Sequence, residues 1–402
     1  YLRDFKFTGD VYAFPEGTIM YPNEPILTVV APLIDAQIVE TAILAEVNHQ
    51  SLVATKTARI VKAAEGKAVS DFGARRAHNM DAAVYGARAS YIGGAAGTAT
   101  VLAGQMFGIP VSGTMAHSWV MYYKDEYEAF KHYAENYPDN TVLLVDTYDT
   151  IKSGIPNAIR VAREVLEPMG KRLKGIRIDS GDLAYQSIKV RKMLDDAGLT
   201  DCKIIVSNSL DEHTISSLNM QKARIDGYGV GERLITGASS DYSEDSISLL
   251  GAVYKIAAVE ENGGFAPRIK VSGSVEKITN PGLKKVYRVY DQNGKAKADL
   301  IAKADETIDM SQEFRFVDPD MPWRNLKFTH CTVRPLQEKI FENGKLVYKL
   351  PTLNEIRAYV KKQLDEEIWE EEQRFVNPHK HYMDMTPDYY DMKMSLLNDS
   401  RA

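Results

Sequence analysis

Cysteine is nearly absent from the 402 residues: Cys202 and Cys331 stand far apart, with no CxxC spacing and no histidine pair nearby. A disulfide framework and a thiolate zinc site are therefore not expected, and a reducing compartment is. Long apolar runs are missing too. Nothing approaches the roughly 20 residues that cross a bilayer, so no membrane partner is expected and the cytoplasm is the expected location. Nor is there a basic surplus. Lys and Arg total 49 against 55 Asp and Glu, a formal net charge of -6. A chain that coats nucleic acid usually carries the opposite balance, which excludes that partner from the expectations. Internal repeats and low-complexity linkers are lacking. Tyr1 is not an initiator Met, so the sequence is silent on a leader peptide.

What is present is ordinary globular material, 44% hydrophobic and 26% charged. Its length exceeds one small core, so more than one domain is expected. Residues 5–30 alternate β-formers with turns at Pro15-Glu16-Gly17 and Pro22-Asn23-Glu24-Pro25, which predicts short strands. From 34 to about 65 the pattern is helical, with Ile34, Ile38, Thr41, Ala42 and Ala45 on one stripe. Apolar or β-rich runs then recur at Val69–Phe72, Ile109–Val111, Thr141–Val145, Gly175–Ile178, Lys203–Val206 and Ile225–Val230, and helical stretches separate most of them. Apolar strands alternating with helices predict a parallel sheet covered by helices, and six or more units favour a barrel. Beyond Gly251 the pattern changes. Asn262-Gly263, Asn293-Gly294 and Asn343-Gly344 lie between strand-like segments, and Asn-Gly supplies the positive φ angles of a tight hairpin. The expected fold class is α/β: an irregular β/α barrel plus a discontinuous, largely antiparallel β-rich domain. Residues 1–66 would form the first part of the β-rich domain with helices, 67–254 the barrel with the active site, 255–350 the second β-rich part, and 351–402 a helical tail.

Polar residues and glycines cluster just after the apolar runs. The segments are Phe72-Gly73-Ala74-Arg75-Arg76, Gly113-Thr114-Met115-Ala116-His117-Ser118, Asp146-Thr147-Tyr148-Asp149, Arg177-Ile178-Asp179-Ser180-Gly181-Asp182, Ser207-Asn208-Ser209 and Gly229-Val230-Gly231-Glu232-Arg233. In a β/α barrel such segments open on one face, which carries the active site. Each has a plainer reading. Arg75-Arg76 is either a solvated pair or a fork for carboxylate or phosphate. Asp179-Ser180-Gly181-Asp182 is either a helix cap or a site for sugar hydroxyls and magnesium. Gly229-Val230-Gly231 marks either a turn or backbone N–H groups facing a phosphate. Ser207-Asn208 could simply cap the next helix. His117 is either a structural or surface residue, the commoner fate of a lone His, or a catalyst, a reading that its place at a strand end among small residues strengthens. His78 reads as polar lining, and His379 and His381, in an acidic tail, receive no role. Together these residues suit an anionic sugar phosphate with magnesium.

Taken in order, the strings Asp71-Phe72-Gly73-Ala74-Arg75-Arg76-Ala77, Gly113-Thr114-Met115-Ala116-His117-Ser118, Asp146-Thr147-Tyr148-Asp149 and Arg177-Ile178-Asp179-Ser180-Gly181-Asp182-Leu183 resemble the motifs of the nicotinate phosphoribosyltransferases. So do Gly9-Asp10-Val11-Tyr12-Ala13, Tyr91-Ile92-Gly93-Gly94 and Ile278-Thr279-Asn280-Pro281-Gly282. The set covers nearly the whole chain. The resemblance implies a type II phosphoribosyltransferase fold and a homodimer with active sites at the subunit interface. It implies the reaction of nicotinate with phosphoribosyl diphosphate to nicotinate mononucleotide and diphosphate, coupled to ATP hydrolysis through a phosphohistidine. His117 would be that histidine. Gly113, Ser118, Arg75 and Arg177 would hold nicotinate, while Asp179, with Asp146 or Asp149, would face ribose hydroxyls and magnesium-bound diphosphate. Ser207, Asn208, Gly229 and Gly231 would hold the ribose phosphate. No metal ligand is assigned in the protein itself; magnesium is expected through the diphosphate. The family's Thr-Asp-Leu-Tyr-like segment, whose aromatic residue stacks on the pyridine, is absent from this sequence. Glu232 stands where many relatives have Thr, and residues 239–250 also depart from the pattern. A nicotinamide-using relative and a non-catalytic sugar-phosphate-binding barrel are the alternatives.

Overall fold

Five of the six apolar runs of the first half become buried strands, and the Asn-Gly pairs of the second half become turns. A computed structural model describes residues 2–238, 250–273, 277–311 and 313–399, so 239–249 of the atypical segment lie outside the described residues. The chain divides into two units, one made of 1–46 and 252–402, the other of 47–251.

Near the N-terminus β1 (Asp10–Ala13) pairs antiparallel with β2 (Leu27–Val30), followed by helices α1 (Leu33–Ile38) and α2 (Glu40–Ala63). The helical stripe expected on Ile34 and Ile38 is not the buried one. Both residues are exposed, the helix breaks at Val39, and the buried face of α2 runs instead through Val53, Thr57, Ile60 and Ala63. Spacings of three and four residues place those four on one side.

Unit 47–251 contains a six-stranded parallel sheet: β3 (Ala68–Asp71), β4 (Gly97–Thr98), β5 (Val142–Leu144), β6 (Gly175–Ile178), β7 (Lys203–Ser207) and β8 (Gly227–Val230). The order is β4-β3-β8-β7-β6-β5. First and last strands are therefore neighbours, the connectivity of a β/α barrel. Leu143, Leu144, Ile176, Ile178, Ile204, Val206 and Val230 are wholly buried along it. Helices α3 (Met80–Ile92), α4 (Val101–Phe107), α5 (His117–Tyr122), α6 (Glu126–Asn136), α7 (Ile155–Val161), α8 (Leu183–Asp196), α9 (Glu212–Met220) and α10 (Glu232–Thr236) intervene. One predicted strand differs. Ile109–Val111 contributes only an isolated bridge, Val111 to Thr98, and the strand paired with β3 is the shorter Gly97–Thr98. Among the described residues no pairing joins Val111 to β5, so the ladder is irregular there.

In the other unit, β9 (Ala258–Glu261) and β10 (Gly264–Pro267) form a hairpin through Asn262 (φ 53°) and Gly263 (φ 79°). Both centres are left-handed, as a two-residue primed turn requires. A six-stranded sheet holds β11 (Lys284–Tyr290), β12 (Ala296–Lys303), β13 (Phe314–Val317), β14 (Asn325–Phe328) and β15 (Thr332–Pro335). Next, β16 (Glu338–Glu342) pairs with β1 and, through Asn343-Gly344, with β17 (Lys345–Leu346). After α11 (Leu353–Lys362) the tail is not purely helical. It supplies β18 (Tyr382–Met385), which lies parallel to β12, before α12 (Pro387–Asp399). The tail thus completes a sheet whose other pairings are antiparallel. His381, just before β18, is buried and stacked on Tyr21 at 3.7 Å, a core role that its acidic neighbours hid.

Candidate active site

Parallel strands send every following loop to the same edge, and the hydrogen bonds show the loops meeting there. Asp146, two residues past the end of β5, is the hub. Its Oδ1 lies 3.2 Å from His117 Nε2, and its Oδ2 accepts the Asp179 amide at 3.0 Å and the Ser180 hydroxyl at 2.5 Å. Asp179 in turn accepts the hydroxyl of Ser207. Four loops are therefore linked through two carboxylates. His117 opens α5 and its side chain is 39% exposed, so the ring is held on one side and accessible on the other.

Arg177, the third residue of β6, points among these groups. Nη1 donates to Thr114 Oγ1 at 2.6 Å, and Nη2 stands 3.9 Å from Asp179. Among the described residues its buried Nε meets no acceptor. Burial pushes the guanidinium below its usual pKa, and Arg75 pushes the same way, while Asp179 and Asp146 oppose. The cation also stands 5.9 Å from the centroid of the Phe72 ring. That ring needs Gly229: a Cβ there would sit 2.5 Å from it. Gly231 lies beside the Phe72 carbonyl and immediately precedes α10. Asn208 and Ser209 both have positive φ, 98° and 50°, so local strain is concentrated after β7.

Other predicted residues are less directly joined. Asp149 caps the turn Thr150–Gly154 by accepting the amides of Ile151 and Lys152, and the Lys152 amide holds its carboxyl below the usual range. Gly113 faces open space, and Ser118 is exposed on α5. Arg75 and His78 are exposed, and Arg76 lies 3.6 Å from Glu232. The capping reading holds for Asp182, which accepts the Tyr185 amide; Asp211, not Ser207 or Asn208, caps the helix after β7. Beside Asp146, Asp149 and Ser180 a cleft of about 370 Å³ opens between Tyr148 and Tyr185.

The nicotinate phosphoribosyltransferase (NAPRTase) family profile matches residues 67–299, and profiles of that family's N-terminal and C-terminal domains match 1–48 and 283–393. The nicotinate phosphoribosyltransferase of Bacillus subtilis is 48% identical over 394 residues, covering 97% of this chain and 78% of the relative. This chain belongs to the nicotinate phosphoribosyltransferase family. The human nicotinate phosphoribosyltransferase is 32% identical over 87% of this chain and 72% of its own. A crystal structure of the human nicotinic acid phosphoribosyltransferase superposes with a TM-score of 0.84 at 29% identity, over 97% of this chain and 83% of that one. The family assignment and the α/β fold expected from the motifs are both met.

Some residues of this family member escaped the sequence reading. Asp71 is buried at the end of β3, where it accepts the Gly73 amide at 2.8 Å and the Thr98 hydroxyl at 2.7 Å; burial raises its pKa. Glu126, 97% shielded from solvent by its 3% exposure, accepts from Ser153 at 2.5 Å and Asn157 at 3.1 Å behind the Asp149 turn. Asp71 stood in the sequence only as the first residue of a motif string, with no role assigned, and no signal existed for Glu126. Among the described residues no helix is long and apolar enough to cross a membrane.

Proposed function

We propose that this chain transfers phosphoribosyl from phosphoribosyl diphosphate to nicotinate, giving nicotinate mononucleotide and diphosphate in NAD salvage, with ATP hydrolysis coupled through His117. The observation that carries this reading is Arg177, whose pKa burial lowers, with Asp179 no nearer than 3.9 Å and a second arginine acting on it. Such a pair suits the carboxylate of nicotinate. A neutral amide would leave the charge unanswered, which favours the acid over nicotinamide. A sugar-phosphate sensor would have no use for a histidine held by a carboxylate.

The bond-forming step needs no base, because the pyridine nitrogen attacks with a free lone pair. The C1–oxygen bond to diphosphate breaks and its electron pair leaves with diphosphate. The work is orientation and charge stabilisation. Arg177 and Arg75, with Gly113 and Ser118, orient the ring. Asp179 faces the electron-poor anomeric carbon, and Ser207, Asn208, Gly229 and Gly231 receive the ribose phosphate. With Nε2–H donated to Asp146, His117 keeps its lone pair on Nδ1, which is the nitrogen free to accept a phosphoryl group as ADP departs. The added dianion would then change the site's affinity for anions.

Among the described residues no three acids, histidines or cysteines converge as a metal cage. Asp179 and Asp149 could each lend an oxygen, which suits magnesium shared with substrate phosphates. Bound there, it would offset the charge of departing diphosphate. Exposed Val101, Leu102, Met106, Met121 and Tyr122 support a homodimer, and free buried cysteines support a cytoplasmic location. The test is a product assay with phosphoribosyl diphosphate, ATP and magnesium, offered nicotinate or nicotinamide. Nicotinate mononucleotide and ADP are expected; equal or better use of nicotinamide contradicts the reading.

A further inference from the structure

The motif Ile278-Thr279-Asn280-Pro281-Gly282 has no part in the chemistry above, yet its turn is fastened on several sides. Thr279 Oγ1 accepts the Lys270 amide at 3.0 Å, and Asn280 Nδ2 donates to the Asn23 carbonyl at 3.3 Å. The Pro281 carbonyl accepts the buried Tyr389 hydroxyl at 2.7 Å, and the Gly282 amide donates to the Ala257 carbonyl at 2.7 Å. The turn is therefore preorganised within the β-rich unit.

Two ammonium groups are attached to it. Lys284, at the start of β11, donates to the Gly282 carbonyl at 3.0 Å. Lys393, from α12, donates to Asn280 Oδ1 at 2.8 Å. Across the ladder, Lys303 stands directly opposite Lys284. Among the described residues no acid bears on Lys284, and the one that bears on Lys393, Asp320, is itself paired with Lys380 at 3.0 Å. Burial brings Lys284 down to about 8, with Lys393 pushing the same way, and burial lowers Lys393 as well. Like charges gathered in a shielded place are unfavourable unless something opposite in sign joins them. Each ammonium carries three N–H donors and, among the described residues, donates one, which leaves four.

We propose that Lys284 and Lys393 form an anion-binding site on this turn, with a phosphate group as its ligand. Two point charges from separate elements match the several oxygens of a tetrahedral phosphate, whereas a planar carboxylate is better met by an arginine fork. The phosphate comes either from the phosphoribosyl diphosphate and diphosphate of the proposed reaction or from a separate phosphorylated metabolite.

The test is calorimetric titration of the full chain with inorganic diphosphate and inorganic phosphate at low salt and pH 7. Wild type is compared with the Lys284→Gln/Lys393→Gln double variant. The double variant is expected to lose one class of binding, weakened at least about tenfold, the equivalent of one charge-assisted hydrogen bond. Nicotinate binding and the melting temperature should hold, because the substitutions remove repelling charges. Raising the pH from 7 to 9 should weaken the same class in wild type as Lys284 loses its proton. A raised KM for phosphoribosyl diphosphate in the double variant assigns the ligand to the substrate; lost binding with an unchanged KM assigns it to another phosphorylated molecule. Identical stoichiometry and affinity in wild type and double variant overturn the site. If the site binds diphosphate but the chain makes no nicotinate mononucleotide, the site stands and the reading of the barrel falls.

Discussion

Arg177 at the barrel mouth and Arg288 in the β-rich unit are both shielded from water, but their surroundings differ in kind. Arg288 is wholly buried and forked onto Asp299, with Nε to Oδ1 at 2.8 Å and Nη2 to Oδ2 at 2.7 Å. Nη2 also donates to the Ile19 carbonyl at 2.8 Å, and Tyr21 lies 5.3 Å from the cation. Burial alone would lower its pKa, but the Asp299 hydrogen bond and charge raise it above the usual arginine value. For Arg177 burial prevails and the value falls. Each leaves one N–H group unanswered, Nε in Arg177 and Nη1 in Arg288, so an orphan donor does not distinguish them. The difference lies in charge: Arg288 is held by Asp299 at hydrogen-bond distance, whereas Asp179 stands 3.9 Å from Arg177, a charge that on the proposed reading meets a ligand. A buried charge gripped by its partner is structural; one held more loosely can also serve a ligand.

The largest expected effect is at the structural arginine. Arg288→Ala strands Asp299 in the core and should destabilise the chain by about 3–5 kcal/mol, read from urea unfolding, with little of that loss in Arg177→Ala. A small effect at Arg288 would erase the contrast. Next, His117→Ala should abolish ATP-dependent stimulation and phosphohistidine formation while leaving the unfolding midpoint near wild type. ATP turnover unchanged in the purified variant would remove His117 from the mechanism. Arg177→Ala should raise the KM for nicotinate by about 10–100-fold, the equivalent of losing a hydrogen bond to a charged group.

The pH dependence of stability sharpens the contrast from the β-rich side. Asp384 on β18 is buried, and among the described residues neither carboxyl oxygen is hydrogen-bonded. Burial, and then Asp318, raise its pKa to about 7, against Arg324 and His381. The folded state therefore holds a proton that the unfolded chain releases near pH 4. Stability should fall as pH rises from about 4 to about 7, by up to about 1.4 kcal/mol per unit, and then level off. Asp384→Asn should flatten that fall in unfolding curves taken across the range; an unchanged slope would assign it elsewhere. The smallest effect is expected at the exposed Arg76–Glu232 pair, where Glu232→Thr should shift stability by less than about 0.5 kcal/mol.

Local chemistry explains which parts of this structure were legible in the sequence. Asn262-Gly263 and Asn343-Gly344 forced hairpins because few other pairs tolerate two positive φ values. The loop strings around His117, Asp146, Arg177 and Asp179 were legible because parallel strands leave no other edge for them. Gly97–Thr98 was not, since two small residues carry no β pattern and pair only because β3 lies alongside. Nor was β18, whose Tyr-Met-Asp-Met run becomes a strand between β12 and β13. The interrupted helix at Val39 turned Ile34 and Ile38 outward, an orientation that periodicity alone does not register.

The most direct measurement is the ratio of kcat/KM for nicotinate to that for nicotinamide, in wild type and in Arg177→Ala. If the charge left open at Arg177 receives the carboxylate, the ratio should strongly favour nicotinate in wild type and collapse toward unity in the variant. A ratio that survives the substitution unchanged would contradict that claim.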